Sequence, residues 1–194
     1  MQTILKKVDN VMVIEKSRFI TLLYPVHTRN EVLEILEDVK QEYANATHYC
    51  YAYIIDGDVR ASDDGEPSKT AGAPILNVLV QQDLNHILCV VIRYFGGIKL
   101  GAGGLVRAYS NSCSEALKKA QFGNVIAAKK VRIIINYEMI DKLNYILQDF
   151  KITYKEFNDK VSYEVLVPDG KLNLLEPFSY EIINDCFITQ EKNY

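Results

Sequence analysis

Arg93-Tyr94-Phe95-Gly96-Gly97-Ile98-Lys99-Leu100-Gly101-Ala102-Gly103-Gly104-Leu105-Val106-Arg107 decides how the first half of this chain is read. Just ahead of its glycines, Ile87 to Tyr94 is a continuous apolar, β-branched run, the pattern of a buried strand. Behind them, helical spacing from about Gly103 to Ala120 predicts a helix. Val106, Tyr109, Cys113, Ala116, Leu117 and Ala120 fall inward on that helix, and Arg107, Asn111, Ser114 and Lys118 fall outward. Five glycines fill the join. Glycine permits φ > 0 and lets another group come close. A helix opening there offers free N–H groups and the positive end of a dipole. Arg107 in the first turn has the wrong sign for that dipole, and a docked anion relieves the conflict. Arg93, Gly96, Gly97, Lys99, Gly101, Gly103, Gly104 and Arg107 are therefore the candidate nucleic-acid or anion-binding residues. The competing reading gives the glycines only a tight turn and close packing. Known nucleotide motifs do not fit. Gly96 and Gly101 have Walker spacing, but Ala102-Gly103 stands where Lys-Ser/Thr is required. Gly101 and Gly103 open a dinucleotide fingerprint, but Val106 stands at its third glycine. A phosphate of the RNA backbone fits better than a bound nucleotide.

Working outward, Met12 to Ile14 and Phe19 to Tyr24 read as strands around a polar turn. A helix follows from about Thr28 to Tyr43, with Val32, Leu36, Val39 and Tyr43 on one face. Thr28 as N-cap and Glu31 three residues on form a capping box. His48 to Ile55 reads as a strand. Tyr49, Tyr51 and Tyr53 alternate along it, as half core and half surface or as a row for stacking bases. Asp56 to Gly72 reads as a loop and Pro74 to Val80 as a short helix. The pattern resets around Phe122 to Ala128, which sets the domains at 1–125 and 126–194. The second domain reads β-α-β-β-α-β, an order that suggests a ferredoxin-like fold. The fold class is thus α+β in two domains.

The second segment with chemical potential is Ser62-Asp63-Asp64-Gly65-Glu66-Pro67-Ser68-Lys69-Thr70-Ala71-Gly72. Asp63, Asp64 and Glu66 suit cation holding or acid–base work, and His48 can join them in space. The spacing fails the EF-hand pattern. The competing reading is a solvated turn leading into a helix capped by Ser68 or Thr70. His27 and His86 read as strand-edge or turn histidines without spaced partners.

Composition bounds the function classes. The 194 residues are 48% hydrophobic and 24% charged, with a net charge of −3, which is ordinary globular composition. Arg93, Lys99, Arg107, Lys118 and Lys119 nevertheless face Glu115 alone in their segment, so one basic face is expected on a weakly acidic protein. Cys50, Cys89, Cys113 and Cys186 form no CxxC pair, and with three histidines of no ligand spacing they make zinc unexpected. The start of the chain carries no apolar core of signal-peptide length, and no run spans a bilayer. A cytoplasmic protein with reduced thiols and no membrane partner is expected.

DDGEPSKTAGAPIL and IRYFGGIKLGAGGLVRAY, with SRFI near the start and His48, resemble the signature regions of the YigZ/IMPACT family over about residues 1–120. Lys69 departs from the pattern, which expects glycine there. The resemblance implies a ribosomal-protein-like α+β domain, similar to the fourth domain of elongation factor G, followed by a ferredoxin-like one. It also implies a link to translation, because the eukaryotic relatives regulate initiation through a stress-response kinase. RNA or the ribosome is the expected partner, with a protein partner in translation control beside it. No catalytic residue, metal or cofactor is expected. The alternatives are a peptidase-like hydrolase using His48, Asp63, Asp64 and Glu66, a label some bacterial members carry, and a protein–protein adaptor.

Overall fold

The structure is a computed structural model whose described residues are 2–191; Met1 and residues 192–194, the outer ends of the two expected domain ranges, lie outside them. The chain divides between Asn124 and Val125.

In the first unit, β1 (Gln2–Ile4), β2 (Val8–Ile14) and β3 (Ser17–Pro25) precede α1 (Arg29–Glu42). Thr28 caps α1 by accepting from the Glu31 N–H. The reciprocal bond is displaced by one residue, since Glu31 Oε2 accepts from the His27 N–H at 2.8 Å. Next come β4 (His48–Ile55), β5 (Asp58–Ser62), α2 (Gly72–Gln81), β6 (Ile87–Tyr94) and α3 (Gly101–Leu117). The strands pair antiparallel in the order β2-β3-β6-β4-β5.

Strand alternation builds a core on each face of this sheet. Ile20, Leu22, Tyr53, Leu88, Val90 and Ile92 pack with Val32, Leu36 and Val39 of α1. Phe19, Leu23, Cys50, Cys89 and Val91 pack with Ile75 and Leu79 of α2 and with Leu105, Tyr109 and Cys113 of α3. Phe19 and Tyr109 meet edge to face, with centroids 5.3 Å apart. Burial pushes the Cys50 thiol up to about 12.

Several expectations change. The stretch Asp56 to Gly72 is not all loop. Asp56 (φ 44°) and Gly57 (φ 89°) make a tight turn that hairpins β5 onto β4. The glycine-loop helix starts two residues earlier than expected; Tyr109, Cys113, Ala116 and Leu117 are inward as expected, but Leu105 is buried in place of Val106, which is 37% exposed. His27 and His86 are partnered: their Nδ1 atoms lie 3.3 Å apart, and His86 Nε2 lies 2.9 Å from Asp56 Oδ1. Phe122 to Ala128, within which the chain divides, is continuous strand. It opens β7 (Phe122–Ile135), whose first residues pair with β1.

The second unit continues from β7 through α4 (Ile140–Leu147), β8 (Lys151–Phe157) and β9 (Val161–Pro168) to β10 (Tyr180–Glu191). A 3₁₀ segment, Asp169–Leu175, stands where a second α-helix was expected. Its strands lie in the order β8-β9-β7-β10. Val131, Ile133, Val161, Tyr163 and Val165 face Leu143 and Leu147 of α4 to form its core. Among the described residues no helix is long and apolar enough to cross a membrane.

Candidate functional site

The end of β6 and the glycine stretch after it carry a buried polar network. Alternation places Arg93 on the same face as Cys89 and Val91, beneath α3. Arg93 is only 4% exposed, and its Nη1 donates to Glu66 Oε1 at 2.6 Å. The same oxygen accepts from the Tyr109 hydroxyl at 2.8 Å. Arg93 Nη2 donates to Ser17 Oγ, which also takes the Gly96 N–H. The guanidinium stands over the rings of Phe19 and Phe95, 5.4 Å from each centroid. Among the described residues Arg93 Nε has no hydrogen-bond partner. So Arg93, expected on the anion-binding surface with Lys99 and Arg107, is instead a core cation paired to Glu66.

The acidic loop is built around the same pair. Asp63 gathers three backbone donors: Lys69 N–H at Oδ2, and Ala71 and Gly72 N–H at Oδ1. It therefore caps the start of α2, the role expected of Ser68 or Thr70. Burial draws its carboxyl upward, but the N–H groups of Lys69, Gly72 and Ala71 outweigh that and hold it below the usual carboxylate range. Asp64 Oδ2 accepts from the Tyr49 N–H at 2.6 Å. His48 donates Nδ1–H to the Asp64 carbonyl at 2.8 Å, which turns Nε2 toward Glu66 Oε2, 3.8 Å away. His48 and the three carboxylates thus meet as expected, but each carboxylate already bonds within the protein. No three His, Cys, Asp or Glu side chains among the described residues converge as a metal-holding group. Lys69 has φ 63°, the left-handed conformation that glycine takes without penalty, so the departure from the family pattern keeps the glycine shape of the loop.

The glycines divide by role. A Cβ on Gly96 would fall 2.0 Å from the Lys16 carbonyl carbon, so close packing alone requires glycine there. Gly101 opens α3 with φ +69°. Gly97 is left-handed in open space, and a Cβ on Gly104 would press on Leu100 Cβ at 3.0 Å. Gly103 has neither reason: its φ is not left-handed, and an added Cβ meets nothing within 4 Å. Among the described residues no side chain caps the start of α3, and its first turn holds no acid. Beside it, Lys99, Gly104, Arg107, Asn111 and Glu15 line a cavity of about 490 Å³. Lys99 and Arg107 are both exposed, and neither pairs with a carboxylate among the described residues. Ser17, Phe95 and Tyr109 were not singled out in the sequence. Tyr109 was read only as inward, and its acceptor lies 43 residues away in the chain.

Residues 15–117 match the family model described as the Impact N-terminal domain. The chain is 41% identical over 184 residues to the IMPACT family member YvyE of Bacillus subtilis, covering 91% of this chain and 83% of that protein. This chain belongs to the IMPACT family. It is also 32% identical over 166 residues to the IMPACT family member YigZ of Escherichia coli, covering 82% of this chain and 81% of that one. A crystal structure described as that of a hypothetical protein is similar over 94% of this chain and 97% of its own, with a TM-score of 0.64 and 29% identity. The IMPACT-matched residues contain the whole network from Ser17 to Tyr109.

Two outcomes test this account. Glu66→Ala leaves a buried guanidinium without its carboxylate and is expected to destabilise the first unit by about 3–5 kcal/mol, read from denaturant midpoints. An effect within about 0.5 kcal/mol would show that the pair is not holding the loop. The Asp63 carboxyl titrates lower folded than unfolded. Its stabilisation is therefore complete above the unfolded carboxylate range and is lost as pH falls through the lowered value. Wild type should lose stability below about pH 4, and Asp63→Asn, about 1–2 kcal/mol weaker at neutral pH, should follow a flatter acid limb. Parallel limbs would contradict the capping role.

Proposed function

We propose that this IMPACT-family chain is a non-catalytic binding protein of translation control that contacts the phosphate backbone of RNA, free or in the ribosome, at the start of α3. One observation carries the reading. Lys99 and Arg107 face the cavity beside an uncapped helix start, where Glu15 is the one acid on the wall. Lys99 stands at the positive end of the α3 dipole and Arg107, in the second turn rather than the first turn expected, adds a second cation to the same cavity, an arrangement an anion stabilises. Gly103 adds to it, because glycine there leaves the backbone N–H groups open to close approach while the fold has no need of it. The resemblance of the signature stretches to eukaryotic regulators of initiation supports the translation link. In the second unit, the strand order β10-β7-β9-β8 supports reading it as the ferredoxin-like domain of such a pair. For the first unit, the resemblance implies a domain similar to the fourth domain of elongation factor G.

The hydrolase reading has less support. Asp63 is engaged by three backbone N–H groups, Asp64 by that of Tyr49, and Glu66 by Arg93 and Tyr109. A carboxylate held by such donors is a poor base.

The test is a titration of short single-stranded RNA against wild type, Lys99→Ala, Arg107→Ala and Gly103→Ala across a salt series. Wild-type affinity should fall steeply with salt and depend little on sequence. Each cation removed should weaken binding and shallow the salt slope by about one unit. Gly103→Ala should fold at least as stably as wild type yet bind more weakly, since its methyl group stands where a phosphate oxygen approaches. Unchanged affinity in all three variants would end the phosphate reading.

A further inference from the structure

A second cavity, of about 330 Å³, lies on the other side of the Lys99-Leu100 segment, and those two residues line both cavities. Its walls are apolar: Phe95, Leu100, Leu105 and Pro67. Its polar lining is Lys99 and the buried Arg93–Glu66 pair. Three observations single it out. Phe95 keeps its ring 46% exposed although it follows a buried strand. The Phe95 backbone is nonetheless fixed, because its N–H donates to Thr47 Oγ1 at 3.0 Å and the Thr47 N–H donates to the Arg93 carbonyl at 2.8 Å. Arg93, nineteen-twentieths buried by its 5% side-chain exposure, lines the cavity, and its buried Nε–H has no acceptor among the described residues. A few charged side chains among apolar walls suit a flat ligand whose faces are apolar and whose edge is polar.

We propose that this cavity takes one unpaired base of single-stranded RNA, stacked on Phe95, while the adjoining phosphate sits across Lys99 and Leu100 at the Lys99–Arg107 cavity. The inference rests on the phosphate reading above and adds the base to it. An aromatic platform beside a cationic groove is the common design for single-stranded nucleic acid. Arg93 over one face of Phe95 fixes the ring at the cavity mouth, and the exposed part of the ring is left for the base. Every base has a stacking face, so the preference created is for unpaired over paired strands rather than for one sequence. The size of the cavity admits one base, not a folded protein element.

Affinities are compared for short single-stranded RNA, for the same length of abasic ribose-phosphate backbone, and for duplex RNA, using wild type, Phe95→Ala, Phe95→Tyr and Arg107→Ala. Wild type should bind the single strand more tightly than the abasic strand or the duplex. Phe95→Ala should weaken binding to the single strand by about 5- to 150-fold and leave the abasic strand unaffected. Phe95→Tyr should retain wild-type affinity, and circular dichroism should show all variants folded. Equal binding of base-containing and abasic strands, with Arg107→Ala still weakening both, would overturn the base pocket and leave the phosphate site standing. No binding of any strand by wild type would overturn both. Tight capture of a peptide abolished by Phe95→Ala, without RNA binding, would also overturn the proposal.

Discussion

The ion pair between Arg93 and Glu66 is the constraint from which the first unit takes its form. Removing both charges from water costs several kcal/mol per ion, and the pair persists only because its bonds are nearly complete. Glu66 takes the guanidinium and the Tyr109 hydroxyl on one oxygen, and Ser17 takes the second arm of the guanidinium. These residues come from β3, the acidic loop, β6 and α3, so one buried carboxylate fixes the mutual position of four segments. An apolar cluster of equal volume is often as stable. What it lacks is direction: hydrogen bonds specify which loop residue meets which strand residue. The seating of Gly96 against Lys16, and with it the path of the chain into α3, follows from that specification.

The same constraint explains how a weakly acidic protein carries a cationic surface. The acids of the loop are engaged within the protein: Asp63 and the exposed Asp64 by backbone N–H groups, and the buried Glu66 by Arg93. The cations after the glycines face outward with no carboxylate taken from that loop. Net charge therefore says little about what this surface meets, and the local field says more. The glycines differ in what the fold asks of them: Gly96 serves the close approach of two backbones, while an added Cβ at Gly103 would meet nothing within 4 Å.

Periodicity made much of the fold legible in the sequence. The run Ile87 to Tyr94 is β6 to the residue, and Thr28 caps α1 as its side-chain chemistry requires. The departures have local causes. β5 was hidden because its turn, Asp56-Gly57, lies in a polar stretch that looks like loop throughout. The inward face of α3 was legible at Tyr109, Cys113, Ala116 and Leu117, and only its first member differs, since Leu105 rather than Val106 is buried. Residues 169–175 tighten into a 3₁₀ segment directly after Pro168. In the site, His48 and the acidic loop were gathered correctly, but their direction was not visible. The burial of Arg93 was readable in principle, since alternation puts it on the face of Val91 within a strand buried on both sides. Its positive charge next to glycines pointed the other way. The Tyr109 and Ser17 partners are long-range contacts that no spacing announces.

The central claim is that the start of α3, and not the acidic loop, meets the ligand. Backbone amide chemical shifts followed by nuclear magnetic resonance while single-stranded RNA is added test this most directly. The account predicts that the largest changes fall on Lys99 to Gly104 and on Arg107, while the amides of Lys69, Ala71 and Gly72, held by Asp63, stay still. Largest changes at Asp63 to Glu66 or in the second unit, with Lys99 to Arg107 unmoved, would contradict it.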